Sequence, residues 1–161
     1  MRPVAPLQQT ARMEEFIALM GKFFPFPPTQ GQADVLRVFA TFMASPQPMS
    51  VMVLRGSAGT GKTTLTAAIV RMLTAYARKV VLLAPTGRAA KVLSVNAGMP
   101  AFTIHRKIYR QKTFEGDFNL NDNLHTDTLF VADEASMIAN EGLTQSVVGS
   151  GRLLDDLVQY V

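Results

Sequence analysis

The fold of this chain is decided by Gly56-Ser57-Ala58-Gly59-Thr60-Gly61-Lys62-Thr63-Thr64, nine of its 161 residues. The stretch fits the pattern G-x-x-x-x-G-K-[ST], a glycine-rich loop that holds nucleotide phosphates. The apolar run Val51–Leu54 before it predicts a buried strand, and apolar residues between Leu65 and Tyr76 recur at helical spacing. A strand, a glycine loop and a helix in this order predict a nucleotide-binding α/β domain.

The residue types of this loop suit phosphate binding. Backbone N–H groups of residues 57–64 can point at phosphate oxygens, helped by the positive end of the following helix. Lys62 is expected to reach the β- and γ-phosphates, and Thr63 to place its hydroxyl on Mg²⁺. The expected nucleotide contacts are Gly56, Ser57, Ala58, Gly59, Thr60, Gly61, Lys62, Thr63 and Thr64. The competing interpretation is a glycine turn that only joins a strand to a helix.

Basic residues are concentrated in the middle of the chain. Between Val35 and Phe114 there are twelve Lys or Arg and no Asp or Glu, while the other residues carry four basic and twelve acidic side chains. The formal charge is therefore +12 in the middle segment and −8 (4 − 12) elsewhere. A segment with that balance attracts a polyanion, so we expect contact with nucleic acid rather than only a solvated basic surface.

Composition excludes several classes of protein. The chain has no cysteine, which rules out disulfides, zinc ribbons and cysteine-ligated iron–sulfur clusters. No apolar run approaches the 18 residues or so of a membrane span. Arg12, Glu14 and Glu15 interrupt the N-terminal stretch where a signal peptide would need an apolar core. We therefore expect a cytoplasmic protein that does not engage a membrane.

Apolar periodicity predicts helices and strands in alternation. Predicted helices span Thr10–Phe24, Thr29 to about Met43, Leu65–Tyr76, Arg88–Val95, Thr103–Tyr109 and Arg152–Tyr160; predicted strands span Val51–Leu54, Lys79–Ala84 and Thr128–Ala132, with a loop or hairpin over Phe114–Thr128. Alternation of this kind favours a parallel sheet covered by helices. Ligands bind such sheets at the carboxyl ends of strands, where Gly56, Pro85 and Asp133 fall.

Two adjacent carboxylates follow the last predicted strand. Asp133 is expected to hold Mg²⁺, mostly through water, and Glu134 to orient and polarise the water that attacks the γ-phosphate. Neighbouring carboxylates repel each other unless a cation offsets the repulsion. The alternative is an ordinary solvated strand end, which the phosphate loop earlier in the chain disfavours.

Several motifs together resemble those of a known helicase family. Besides the phosphate loop, they are Ala84-Pro85-Thr86-Gly87-Arg88-Ala89-Ala90-Lys91, Phe102-Thr103-Ile104-His105-Arg106, Ala132-Asp133-Glu134-Ala135-Ser136-Met137 and Gly149-Ser150-Gly151-Arg152-Leu153-Leu154. In these segments the chain resembles superfamily 1 DNA helicases of the RecD/Pif1-like branch, from about Thr29 onward. The phosphate loop is common to many NTPases, whereas the other segments are much more specific.

The resemblance implies roles for further residues. Single-stranded DNA would be contacted by Pro85, Thr86, Gly87, Arg88, Thr103, His105 and Arg106. A turn into a helix N-terminus with a nearby arginine is a sound arrangement for binding backbone phosphate. Gln32 would recognise adenine, with Gln30 as a competing candidate for that role. The substrate implied is ATP with Mg²⁺, and Lys62 and Glu134 would be the catalytic residues.

The resemblance also implies a domain organisation. Residues 1–28 would form an arm and a helix, and residues 29–161 a RecA-like ATP-binding domain that ends before the family's third motif. We therefore expect an incomplete sheet, weak nucleotide binding and slow hydrolysis. The missing partner would be a second RecA-like domain with its arginine, worth roughly 10³–10⁵ in rate. An unfilled gap in the sheet could be closed by strand exchange with another chain or by direct pairing of two strands.

Other functions remain open at the level of sequence. A nucleotide-gated DNA-binding module without motor activity would use the same loop. A small-molecule kinase is disfavoured by the contiguous Asp133-Glu134. A GTPase is disfavoured because Asn119-Leu120-Asn121-Asp122 lacks the lysine of the guanine-binding motif and precedes the Asp133 strand.

Overall fold

The computed structural model describes residues 6–44, 49–111, 118–138 and 149–161. The chain divides into two compact units, residues 1–72 and 73–161. The helices are α1 (Pro6–Gly21), α2 (Gln30–Ala44), α3 (Lys62–Ala75), α4 (Gly87–Ala97), α5 (Ile104–Ile108) and α6 (Leu153–Tyr160), and the strands are β1 (Lys79–Ala84), β2 (Ala101–Thr103), β3 (Tyr109–Gln111), β4 (Phe118–Leu120) and β5 (Thr128–Ala132). None of the described helices combines the length and the apolar character that a membrane span requires.

Helices build the described part of the first unit. α1 packs on α2, and the buried side chains include Met20, Leu36 and Phe39. The sequence predicted that α1 begins at Thr10, but it begins at Pro6, a residue whose fixed φ suits the first position of a helix. The turn after α1 is held by Arg71, whose guanidinium donates to the carbonyl of Phe23 at 3.0 Å.

The prediction of a strand before the phosphate loop was wrong. Residues 51–57 have no regular secondary structure, and no described strand pairs with them. Val51 and Val53 are 79% and 72% exposed, whereas Met52 and Leu54 are half-buried. An apolar run forms a strand only where a neighbour accepts its backbone hydrogen bonds, and periodicity alone does not reveal whether such a neighbour exists.

A parallel sheet with flanking helices forms the second unit, as the sequence predicted. Its strand order is β2-β1-β5, and both strand pairs are parallel. Leu82 and Leu83 of the central strand are fully buried, which explains its unbroken apolar sequence. β1 and β5 have the predicted bounds. The three-residue β2 was not predicted, because so short a segment carries no periodic signal.

A core beneath this sheet joins it to α5 and α6. Its buried members are Val81, Leu83, Ile104, Ile108, Tyr109, Leu153, Leu157 and Tyr160. The region predicted as a loop or hairpin contains one strand of an antiparallel pair, since β4 pairs with β3. The Gly149–Gly151 turn precedes α6, in agreement with the sequence.

Candidate nucleotide-binding and nucleic-acid-binding sites

The phosphate loop leads directly into α3. Gly59 and Gly61 have φ of +78° and +80°, left-handed values that favour glycine, so two glycines of the motif are required by the backbone. The N–H of Leu65 donates to the carbonyl of Gly61 at 2.9 Å, which closes the first turn of the helix. Residues 56–60 are exposed. The N-terminus of α3 and the exposed loop are therefore accessible to an anion.

Lys62 folds back over its own loop. Its Nζ donates to the carbonyls of Gly56 and Ser57, both at 2.7 Å, and the hydroxyl of Thr60 donates to the same Ser57 carbonyl at 2.8 Å. A lysine ammonium has three donors, so one remains for another acceptor. The loop is thus closed by internal hydrogen bonds, with a cation at its centre that suits a phosphate.

Gln32 lies against this loop and belongs to a capping box at the start of α2. The N–H of Gln32 donates to Thr29 Oγ1 at 3.3 Å, and the N–H of Thr29 donates to Gln32 Oε1 at 2.9 Å. A Cβ on Gly61 would lie 2.7 Å from Gln32 Nε2. Gln30, the competing candidate, instead donates to Asp34 at 3.0 Å. Of the two glutamines, Gln32 is the one that lies against the loop.

A cleft of about 260 Å³ adjoins the loop. Its lining combines the polar Thr29, Gln32 and Lys62 with the apolar Val35 and Leu54. A nucleobase needs this mixture, because its ring packs on apolar atoms while its edge requires hydrogen-bonding groups. The residues present therefore fit a nucleotide. Thr63 is the second residue of α3 and is half-buried.

In the second unit, the two adjacent carboxylates follow β5. The N–H of Asp133 donates to the carbonyl of Leu83 at 3.0 Å, which extends the strand pairing by one residue. Glu134 has φ of +53°, a left-handed value that is strained for a residue with a side chain. Strain of this kind is concentrated at functional sites. The exposed Glu134 side chain is therefore a sound candidate for chemistry.

Asp133 is half-buried and oriented by its neighbour, since its Oδ1 accepts a hydrogen bond from the N–H of Glu134 at 3.0 Å. Among the described residues there is no group of three His, Cys, Asp or Glu able to hold a metal. Mg²⁺ does not require one, since it keeps several waters and takes one or two carboxylates beside substrate phosphates. The carboxylates thus fit Mg²⁺. The phosphate loop belongs to the first unit and these carboxylates to the second.

The sheet also brings together the two segments predicted to contact DNA. Ala84, the last residue of β1, pairs with Thr103, the last residue of β2. The strands are parallel, so Pro85–Arg88 and Thr103–Arg106 leave the same edge side by side. On the other side of β1, Leu83 pairs with Ala132, so Asp133 follows at this edge too. Strand pairing thus places three separate sequence motifs at one edge of the sheet.

Both segments enter a helix through a threonine cap. Thr86 Oγ1 accepts from the N–H of Ala89 and Thr103 Oγ1 from that of Arg106, each at 3.2 Å. Each hydroxyl keeps its own proton as a donor. The 11-residue α4 is capped at its C-terminus by Gly98, whose φ of +72° allows its N–H to reach the Ser94 carbonyl. The N-terminus of α4 is thus positioned for an anion.

Cations at this edge are exposed and without carboxylate partners in the described part of the chain. They are Arg88, Lys91 and Arg106. By contrast, Arg78 pairs with Asp127 and Arg110 with Asp122. We define the basic edge as Pro85–Arg88, Lys91 and Thr103–Arg106. A cleft of about 300 Å³ between α4 and β2 lies along it, lined in part by Gly87, Lys91, Phe102 and Arg106.

Lys91 was missed as a candidate by the sequence analysis. It follows Gly87 by four residues and Arg88 by three, spacings that share one face of a helix. That spacing was visible in the sequence. The cleft that makes it informative was not, because it needs β2, which the sequence did not reveal.

A comparison with known protein families identifies the family of this chain. A family model described as an AAA domain matches residues 28–148, which is three quarters of the chain. The chain belongs to the AAA domain family. The match begins one residue before Thr29, the cap of α2, and it contains the phosphate loop, the basic edge and both carboxylates.

Membership of this family establishes the general biochemical class of the domain. It is a P-loop NTPase domain, and the family includes the RecD/Pif1-like helicases. Nucleotide binding and hydrolysis are the chemistry of the family, typically with Mg²⁺. The sequence prediction of a nucleotide-binding α/β domain is confirmed at this level.

Proposed function

We propose that this AAA domain binds and hydrolyses ATP as the motor domain of a DNA helicase of the RecD/Pif1-like branch. The motor would couple hydrolysis to movement along single-stranded DNA and to unwinding. One observation carries the proposal: the pairing of Ala84 with Thr103, which assembles the basic edge next to β5, the strand that Asp133 follows.

The phosphate loop is proposed to hold the triphosphate of ATP. Lys62 would exchange its bonds to the Gly56 and Ser57 carbonyls for phosphate oxygens, and backbone N–H groups at the start of α3 would complete the cradle. The amide of Gln32 would recognise the adenine edge from the adjoining cleft. To recognise adenine, the side-chain amide of Gln32 would have to break the hydrogen bond that it accepts from the N–H of Thr29.

The carboxylates are proposed to serve hydrolysis. Glu134 would accept a hydrogen bond from the attacking water and orient it in line with the γ-phosphorus. Asp133 would help to hold Mg²⁺, which would neutralise phosphate charge when bound. The left-handed backbone at Glu134 fixes where its side chain leaves the chain. A glutamine at this position would keep the shape and lose the charge.

The basic edge is proposed to hold the DNA backbone. Arg88, Lys91 and Arg106 would pair with successive phosphates, and the N-terminus of α4 would add N–H donors and the Thr86 hydroxyl. Such contacts carry little sequence information, which suits a motor that must move along any strand. They also make binding depend strongly on salt.

Two binding measurements test the proposal on this chain. Fluorescent ATP analogue should bind with Mg²⁺, and Lys62→Ala should abolish that binding, with the exposed Lys22→Ala as the control. Labelled oligo(dT) should bind, and Arg88→Ala should weaken it severalfold, whereas Arg110→Ala should not, since Arg110 pairs with Asp122 at 3.6 Å. Equal effects of Arg88→Ala and Arg110→Ala would exclude the basic edge as the DNA site.

A third measurement separates a motor from a nucleotide-gated DNA-binding module. Glu134→Gln should retain ATP-analogue binding and lose ATP turnover, including any stimulation by oligo(dT). If nucleotide alters DNA affinity while the wild-type chain and Glu134→Gln turn over ATP equally, the chain is a gated binding module.

A further inference from the structure

A buried polar network lies outside both candidate sites. Asp156 on α6 is 5% exposed, the only buried charged residue in the described part of the chain. Its Oδ2 accepts a hydrogen bond from the hydroxyl of Tyr109 at 2.5 Å and another from the N–H of Ser150 at 2.9 Å. Although burial raises the pKa of the Asp156 carboxyl, these two bonds and the nearby Arg152 outweigh it and lower the pKa. The carboxylate therefore stays charged.

The turn before α6 fits around the same tyrosine. Gly149 has φ of +68°, and a Cβ on it would overlap the ring of Tyr109. Only glycine allows the backbone to approach the ring this closely. Ser150 also accepts a bond from the N–H of Arg152 at 3.1 Å, which fixes the start of α6. Turn, helix and tyrosine are thus joined by contacts that tolerate little displacement.

Tyr109 connects this network to the basic edge. It follows α5 directly, and its N–H donates to the carbonyl of His105. Its ring lies 5.8 Å, centroid to centroid, from the imidazole of His105. The inner face of α5 packs Ile104 and Ile108 into the core, while His105 and Arg106 are exposed. Fixing Tyr109 therefore fixes where Arg106 is presented.

We propose that the hydrogen bond between Tyr109 and Asp156 positions α5 so that Arg106 meets a DNA phosphate. This inference rests on the proposed DNA-binding function of the basic edge. A helix of five residues has little stability of its own, so its orientation must come from its contacts. A leucine at position 156 could fill the same space in the core. Only a hydrogen-bond acceptor at that position can fix the orientation of the Tyr109 hydroxyl. Tyr109 and Asp156 are positioning residues.

Salt dependence of oligo(dT) binding tests this role. Binding to single strands weakens with salt by a log–log slope of about 0.7 per phosphate contact. Arg106→Ala should lower that slope by about 0.7 and the affinity severalfold. Tyr109→Phe, which removes only the hydroxyl, should lower the slope by a similar amount. The double variant should bind no more weakly than Arg106→Ala alone, because both changes remove one contact.

Tyr160→Phe provides the matched control. Tyr160 belongs to the same core and is 6% exposed, but the described residues offer its hydroxyl no hydrogen bond. This variant should leave the slope unchanged, and Tyr109→Phe should leave binding of the ATP analogue unchanged. Measurements at a temperature well below each variant's melting point separate positioning from unfolding.

The outcomes are distinguishable. A wild-type slope for Tyr109→Phe, or effects of Tyr109→Phe and Arg106→Ala that add, would overturn the positioning role while leaving DNA binding intact. An Arg106→Ala variant with wild-type affinity would overturn the DNA contact of α5, and the positioning role with it. Equal losses from Tyr109→Phe and Tyr160→Phe would show general loosening of the core and also overturn the role.

Discussion

The phosphate loop and the basic edge both suit anions, but they hold their cations differently. In the loop, the ammonium of Lys62 is bound by two carbonyls of the loop itself, each at 2.7 Å. At the edge, Arg88, Lys91 and Arg106 point from capped helices without a carboxylate partner in the described residues. A phosphate must displace internal bonds in the first case and only water and counterions in the second. We therefore expect geometric selectivity in the loop and strong salt dependence at the edge.

The largest effect should come from the loop. Gly61→Ala places a Cβ 2.7 Å from Gln32 Nε2 on a residue with φ of +80°. Left-handed backbone costs a residue with a side chain roughly 1–2 kcal/mol, and the Gln32 amide would also have to move away from the loop. Because phosphate binding requires this loop conformation, affinity for the ATP analogue should fall about tenfold, since about 1.4 kcal/mol is a factor of ten. Fluorescence titration measures it.

Gly21→Ala is the matched control for that change. Gly21 is the last residue of α1, and a Cβ there meets nothing within 4 Å. This variant should leave nucleotide affinity unchanged. Equal nucleotide affinity in the two variants would break the comparison, because the loop would then not depend on its left-handed glycines.

The next largest effect should be the loss of folding stability when the hydrogen bond between Tyr109 and Asp156 is removed. Tyr109→Phe removes the hydrogen bond from Tyr109 to the buried Asp156 and leaves this carboxylate with its bonding to Ser150. Bonds to charged groups contribute about 1.5–3 kcal/mol, so the free energy of unfolding should fall by about that amount. Tyr160→Phe should cost much less. Urea denaturation monitored by circular dichroism compares the two, and equal losses would contradict the account.

A smaller effect on DNA binding should follow from a change in the cleft between α4 and β2. Lys91→Ala should weaken oligo(dT) binding severalfold and lower the salt slope by about 0.7. It should not change affinity for the ATP analogue, because Lys91 lies at the edge rather than in the loop. Arg110→Ala serves as the control, since that arginine is paired with Asp122. A change in the binding of nucleotide but not of DNA would reverse the assignment.

The smallest effect should appear away from both sites. Burial lowers the pKa of His125 below its usual 6.5, and the positive charges of Lys107 and Lys79 lower it further. Between the folded and unfolded pKa values the unfolded chain binds more protons, so stability should rise with pH in the window just below 6.5. His125→Gln should flatten that dependence in urea denaturation. An unchanged pH dependence in that variant would contradict this assignment to His125.

The two regions also differ in how far sequence could predict them. The loop is encoded by nine contiguous residues, so glycine spacing and a following apolar helix were enough to find it. The segments of the edge were found as separate motifs. Their adjacency was not, because it depends on β2, whose three residues carry no period.

Two further features could not be predicted for physical reasons. Val51–Leu54 has the composition of a buried strand, but no described strand pairs with it. Strand formation depends on a partner, which local sequence does not specify. The bond between Tyr109 and Asp156 joins residues 47 positions apart. Neither residue stands out in the sequence, since buried and exposed carboxylates look the same before the fold is known.

The most direct test of the central claim is the salt dependence of oligo(dT) binding by the double variant Arg88→Ala/Arg106→Ala. If these arginines hold two phosphates, the log–log slope should fall by about 1.4, twice the value of about 0.7 per contact. Binding of the ATP analogue should be unchanged. A slope equal to that of the wild-type chain would contradict the claim that this edge of the sheet holds single-stranded DNA.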